Sequence, residues 1–78
     1  MSVYRVVVLN DNLNTMTLVT DVINRACGVP LPEAVTMTRQ IHAEGRATVS
    51  LTPTREAAEQ MAAQVLGFGL RVKVEANR

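Results

Sequence analysis

Three patterns in this 78-residue chain predict an α+β fold in which three strands form a small sheet and three helices layer on one face, in the order β-α-α-β-α-β. The first is a β-branched apolar run, Val3 to Leu9, that ends abruptly in a polar cluster. The second is a set of three apolar stripes at helical spacing, bounded by threonine, proline or glycine. The third is the strict alternation of L-R-V-K-V-E from Leu70 to Glu75, the pattern of a half-exposed strand. The length makes one domain, 1–78 with its core at about 3–75. A chain this short has little room for a deep, water-excluding cleft. Its core must be aliphatic, because Tyr4 and Phe68 are the only aromatics.

Taken in order, Val3–Leu9 forms the first strand, covered on one face and partly on the other. The polar stretch Asn10, Asp11, Asn12 and Asn14 follows as a loop. From Thr15 or Met16 to Cys27, residues Met16, Val19, Ile23, Ala26 and Cys27 share one side of a helix, and Gly28 closes it as a left-handed cap. Pro30 and Pro32 suit the opening of a second helix, Leu31 to about Ala43, because a first-turn N–H has no partner within the helix. Ala34, Met37, Thr38 and Ile41 share its inner face, and His42 sits at the border of that face. Glu44 and Gly45 end it. Arg46 to Leu51 reads as the second strand, with Ala47, Val49 and Leu51 on one side. Thr52 or Thr54 caps a third helix, with Glu56 in its first turn. Ala57, Ala58, Met61, Ala62 and Val65 form its buried stripe, which Gly67 and Gly69 terminate. Leu70–Glu75 is the last strand.

Several classes of function are excluded by composition. Net charge is +1 and the basic residues are scattered from Arg5 to Arg78 with no interleaved aromatics, so neither nucleic acid nor an anionic membrane is an expected partner. The lone Cys27 rules out an internal disulfide and a cysteine-based zinc site. No leader-like apolar core opens the chain, and no apolar run approaches membrane-spanning length. A cytoplasmic monomer without metal or cofactor is therefore expected.

Three constellations of residues carry possible chemistry. Asn10, Asp11 and His42 offer an amide oxygen, a carboxylate and an imidazole nitrogen, the acceptors that an ammonium group with three donors requires. They would lie beside an apolar hollow lined by Met16, Val19, Thr38, Ile41 and Leu70. Each has a plainer reading: short polar side chains build turns, and a lone histidine beside an apolar helix face is more often structural. A cysteine hydrolase of Cys27, His42 and Asn10 is the second possibility, and it fails on the setting of Cys27, which lies in an apolar stripe where a thiolate is disfavoured. The third, a metal held by Asp11 and His42, falls short of the ligands that zinc needs.

Four separated blocks, taken together, resemble the ClpS family of N-degron adaptors. Asn10-Asp11-Asn12-Leu13-Asn14-Thr15-Met16, with Asp21-Val22 beyond it, is similar to the family's N-D-D-Y-T-P-M block. Ile41-His42-Ala43-Glu44-Gly45-Arg46-Ala47 resembles its V-H-x-x-G-x-A, and Thr54-Arg55-Glu56-Ala57-Ala58-Glu59 its T-x-E-V-A-E. A last strand ending in glutamate completes a match over about residues 4–75. The resemblance implies a three-stranded antiparallel sheet with three helices, like the C-terminal domain of the ribosomal stalk protein, and a non-catalytic adaptor. Such an adaptor binds the α-amino group and bulky apolar side chain of N-terminal Leu, Phe, Tyr or Trp, and hands substrates to the N-terminal domain of a ClpA- or ClpC-type AAA+ unfoldase.

Carried over by position, Asn10, Asp11 and His42 would receive the α-amino group, and Asn12 and Asn14 would border the peptide backbone. Met16 would exclude β-branched residues, and Val19, Thr38, Ile41 and Leu70 would line the pocket. Glu56 matches an unfoldase-contact position, while Met61 stands near a family lysine. Thr38 replaces a common pocket methionine, which predicts a roomier and more polar hollow. The family's flexible N-terminal extension has no long counterpart before Val3. The alternative function is a degenerate paralogue that keeps the fold as an interaction or regulatory module without reading N-termini.

Overall fold

The computed structural model describes residues 3–77, so the question of what precedes the first strand lies outside the described residues. Its elements are β1 (Val3–Leu9), α1 (Met16–Cys27), α2 (Leu31–Glu44), β2 (Arg46–Thr52), α3 (Arg55–Gly67) and β3 (Arg71–Asn77). The strands form one antiparallel sheet in the order β2-β1-β3, so the valine-rich first strand is central and paired on both edges. That position explains its near-continuous apolar run: Val6, Val7 and Val8 are all fully buried.

Helix starts follow local chemistry. Thr15 accepts the Leu18 N–H at 3.1 Å and Thr54 accepts the Ala57 N–H at 3.1 Å, each satisfying a donor that the helix leaves unpaired. Gly28 adopts the left-handed conformation expected of it. Helix α3 runs through Gly67 and stops at Phe68 and Gly69, and β3 begins one residue later than expected and extends to Asn77. The extension arises because Ala76 and Asn77 find partners in Tyr4 and Val3 of the central strand.

All three helices pack on one face of the sheet around Val6 and Val8 of β1, Val22 and Ile23 of α1, Ala34 and Ile41 of α2, Ala47 and Val49 of β2, Ala58 and Val65 of α3, and Leu70. Val22 belongs to this core although the apolar stripe read from sequence omitted it. The second strand departs further from expectation. Val6 lies opposite Ser50 but Val7 lies opposite Thr48, so Val49 is an extra residue, a β-bulge. The bulge reverses the alternation beyond it. Leu51, expected on the same side as Ala47 and Val49, is turned away from them and 60% exposed, while Thr52 is buried in its place and donates its hydroxyl to the Thr54 carbonyl at 2.8 Å.

On the other face of the sheet, Glu75 is gripped by three cations. Its Oε1 lies 2.6 Å from Arg46 and 3.4 Å from Arg5, and its Oε2 lies 3.0 Å from Lys73. The Arg46–Glu75 pair joins the two edge strands across β1, above Val7. Hydrogen bonds from Arg46 and then Lys73 hold the Glu75 carboxyl at about 2, against an ordinary value of 4.5. Because the folded value is depressed, this stabilisation is present above the ordinary value and disappears as pH falls through about 2. Glu75→Gln is therefore expected to melt at a lower temperature than the unaltered chain at pH 7, with the two melting temperatures converging towards pH 2. Thermal melts by circular dichroism across that range provide the check, and parallel curves would refute the assignment.

Candidate functional site

One backbone bond brings the end of β1 to the end of α2: the Asn10 N–H donates to the Gly45 carbonyl at 2.9 Å. Gly45 leaves the helix with φ of 92°, a left-handed conformation that glycine adopts without a Cβ penalty. His42, on the last turn of α2, is thereby carried to the same opening as Asn10 and Asp11. The three residues border a single open cavity of about 290 Å³. That lies at the small end of the range for ligand sites, suited to one large side chain rather than an extended cofactor.

The loop between β1 and α1 is built by Asp11. Its Oδ1 accepts the N–H groups of Leu13 (2.9 Å) and Asn14 (3.0 Å), and the Asn14 side-chain amide reaches Oδ1 at 3.1 Å and Oδ2 at 3.0 Å. The same amide donates to the carbonyl of Gly69, 55 residues along the chain, at 3.0 Å. Gly69 has φ of 91°, so its left-handed turn points that carbonyl back to the loop. Asn14 thus acts as a clasp between the loop and the turn before β3. The donors, led by the Leu13 N–H and joined by Asn14 and the charge of Arg71, hold the Asp11 carboxyl below its ordinary range against a smaller opposing effect of desolvation. Asp11 is consequently ionised at neutral pH and places a negative charge at the mouth, with Oδ2 less occupied than Oδ1.

The inner wall of the cavity is aliphatic. Ile41 and Leu70 are buried in it, Val19 is half-buried, and Met16 stands at the rim, 46% exposed. Thr38 is buried too, its hydroxyl donating to the Ala34 carbonyl at 2.8 Å and accepting from Thr20 at 2.7 Å. The polarity that Thr38 suggests in sequence is thus taken up between α1 and α2. Asn12 borders the opening from the exposed side of the loop.

All ten residues that the sequence assigned to clasp, loop and hollow meet at this one cavity. Leu9 and Thr15 also line it, and the sequence reading missed them. It missed two supports as well: Thr20, which holds the Thr38 hydroxyl, and Arg71, whose guanidinium reaches the Asn10 carbonyl at 3.4 Å. Nothing in the local pattern marks either, because each acts on a residue in another element.

Other candidates lie apart from the cavity. Glu56 is exposed on the first turn of α3, whereas Met61 is half-buried against the core, as its place in the apolar stripe required. Cys27 ends α1, the helix whose first residue, Met16, stands at the cavity rim, so it is roughly 16 Å away along the axis. Burial pushes its thiol up to about 11, which leaves almost no thiolate at neutral pH. Cys27, His42 and Asn10 therefore form no nucleophilic assembly. Among the described residues no group of three acidic, histidine or cysteine side chains could hold a metal ion, and no helix is long and apolar enough to cross a membrane.

The arrangement can accept a positively charged group at the mouth while covering an apolar chain within. The family model described as ATP-dependent Clp protease adaptor protein ClpS matches residues 1–73. No curated protein matches the chain. Among solved structures, that of Agrobacterium tumefaciens ClpS2 bound to L-phenylalaninamide superposes with a TM-score of 0.87 at 24% sequence identity, covering 97% of this chain and 98% of that one. At that identity the likeness establishes the three-helix, three-stranded fold.

Proposed function

Since the chain belongs to the ClpS family of ATP-dependent Clp protease adaptors, we propose that its cavity is a receptor for N-terminal destabilising residues. The α-amino group of a substrate beginning with Leu, Phe, Tyr or Trp is received by Asn10, Asp11 and His42, and the first side chain enters the aliphatic hollow. The protein is an adaptor rather than an enzyme, and it presents its cargo to a Clp AAA+ unfoldase, with Glu56 as a contact. One observation carries the reading: three residues able to accept hydrogen bonds, two from the loop after β1 and one from α2 some thirty residues away, border one cavity with an aliphatic wall. Phenylalaninamide, the molecule bound by the Agrobacterium protein, has a free amine next to a benzyl group and so matches both halves of such a site. The decisive experiment is a calorimetric titration with a short peptide bearing a free N-terminal phenylalanine.

His42 bears on the amine half of this binding. A ring nitrogen that accepts a hydrogen bond from the peptide ammonium is lost in His42→Ala, a change at a residue that borders the same opening in the unaltered chain. A severalfold loss of affinity for the free-amine peptide is expected, and an unchanged affinity would exclude an acceptor role for His42.

Thr38 sets the other half of specificity. A side chain shorter than methionine, with its hydroxyl already paired, leaves space rather than a new polar contact. The cavity is therefore expected to favour Phe and Trp over Leu as first residue. A panel of peptides differing only at that position tests this, and Leu binding best would count against it.

A further inference from the structure

The sheet face turned away from the helices gathers charge that the sequence scatters. Across it, Arg5 lies opposite Glu75, Val7 opposite Lys73, and Leu9 opposite both Arg71 and Arg46. Arg71 turns its guanidinium to the Asn10 carbonyl, near Asp11. Three of the chain's eight basic residues, Arg5, Arg46 and Lys73, remain on this face with one of its seven acids, a local excess of two positive charges on a chain whose net charge is +1. Glu75 serves as counter-ion to all three. One carboxylate offers about four lone-pair sites, against roughly thirteen N–H donors on two arginines and a lysine. Most of those donors have no carboxylate from Glu75 to meet. The side chains of Arg5, Arg46 and Lys73 are 37%, 42% and 46% exposed, within reach of a partner. Beside Arg5, the bulge in β2 turns Leu51 onto the same face and leaves it exposed.

We propose that this open sheet face docks an acidic segment of a partner protein, a stretch in which carboxylates surround an aliphatic side chain. Charge complementarity selects the carboxylates, and Leu51 supplies an apolar contact that a polyphosphate could not use. Nucleic acid is the less suitable occupant, because the face has no aromatic platform on which bases could stack. Tyr4 alternates to the helix side, where it packs against the core and the Arg55 guanidinium lies 5.3 Å from its ring, and Phe68 follows α3. The face adjoins the cavity only at its Leu9 and Arg71 end, whereas Arg5, Leu51 and Lys73 border no part of the cavity, so the inference does not rest on N-terminal recognition.

The test is an NMR titration of the whole isotope-labelled chain with a short peptide of glutamates interspersed with leucines, N-acetylated to keep it out of the cavity. Amide shifts are expected at Arg5, Val7, Leu51 and Lys73 rather than on the helices. Affinity should fall at least about tenfold when salt is raised from about 50 to about 300 mM. It should fall similarly in the double variant Lys73→Gln, Leu51→Ser, and remain unchanged in Arg39→Gln on the exposed side of α2. If the double variant melts below the assay temperature, Leu51→Ser alone, an exposed position, serves instead. The proposal is overturned by an absence of shifts at millimolar peptide, by shifts confined to the helices, by insensitivity to these variants, or by tighter binding of a single-stranded oligonucleotide of equal charge.

Discussion

A short peptide with a free N-terminal phenylalanine is expected to bind with micromolar or better affinity, and its N-acetylated copy to bind about a hundredfold more weakly or worse. The ammonium brings one positive charge and three donors to a mouth edged by Asn10, Asp11 and His42. Acetylation leaves one N–H and no charge. A hydrogen bond to a charged group contributes about 1.5–3 kcal/mol, so losing two of them exceeds the roughly 2.8 kcal/mol that a hundredfold change represents. The apolar half cannot compensate, since burying a Phe- or Leu-sized side chain yields only about 1.5–3 kcal/mol. Each half is necessary, and this is how such a site would distinguish a chain terminus from the same residue within a chain. Isothermal titration calorimetry with the two peptides decides the matter. Indistinguishable affinities would sink N-terminal recognition and leave the fold serving as an interaction module.

Substitution of Asp11 should have the largest effect of any single change at the site, and two variants separate its two tasks. Asp11→Asn keeps a side-chain oxygen for the Leu13 and Asn14 N–H groups but removes the negative charge at the mouth. Its loop should persist while affinity for the free-amine peptide drops about tenfold. Asp11→Ala removes charge and acceptors together. The Asn14 amide then loses the carboxylate, its clasp on the Gly69 carbonyl loosens, and affinity should fall about a hundredfold. Since the loop lies outside the core, the melting temperature should change little in either variant. Peptide titration combined with hydrogen exchange at Leu13 and Asn14 reads both tasks. If Asp11→Asn binds like the unaltered chain, the carboxylate is a loop-builder only, and ammonium recognition rests on Asn10 and His42.

The dual role of Asp11 shows why the site was only partly legible. The sequence offered two readings of the polar stretch after β1, turn chemistry and ligand contact, as though they competed. In the fold both operate through one carboxylate: Oδ1 organises the loop, and that organisation sets the charge at the cavity mouth. The resemblance to an adaptor family supplied positions for the clasp and hollow, and the geometry brings all of them to one cavity. It could not supply Thr20 and Arg71, because neither lies in a matched block and each works through a neighbour from a different element. Met61 illustrates the converse. Its helical period already placed it in the core, and that period was a better guide to its environment than its alignment beside a family lysine.

Element identity was determined by the sequence alone, because the forces that set it act within a few residues. Val3–Leu9, Met16–Cys27 and the start of α2 at Leu31 follow from side-chain period, cap chemistry and left-handed glycines, all local to the backbone. What the chain could not declare locally was register and encounter. The extra residue at Val49 reverses the faces of Leu51 and Thr52. The bonds from Asn10 to Gly45, Asn14 to Gly69 and Arg46 to Glu75 join groups 29 to 55 residues apart. Such pairings are chosen by how sheet and helices pack as whole bodies, and packing assembled both the cavity and the basic face from residues that carry no mark of each other in the linear order.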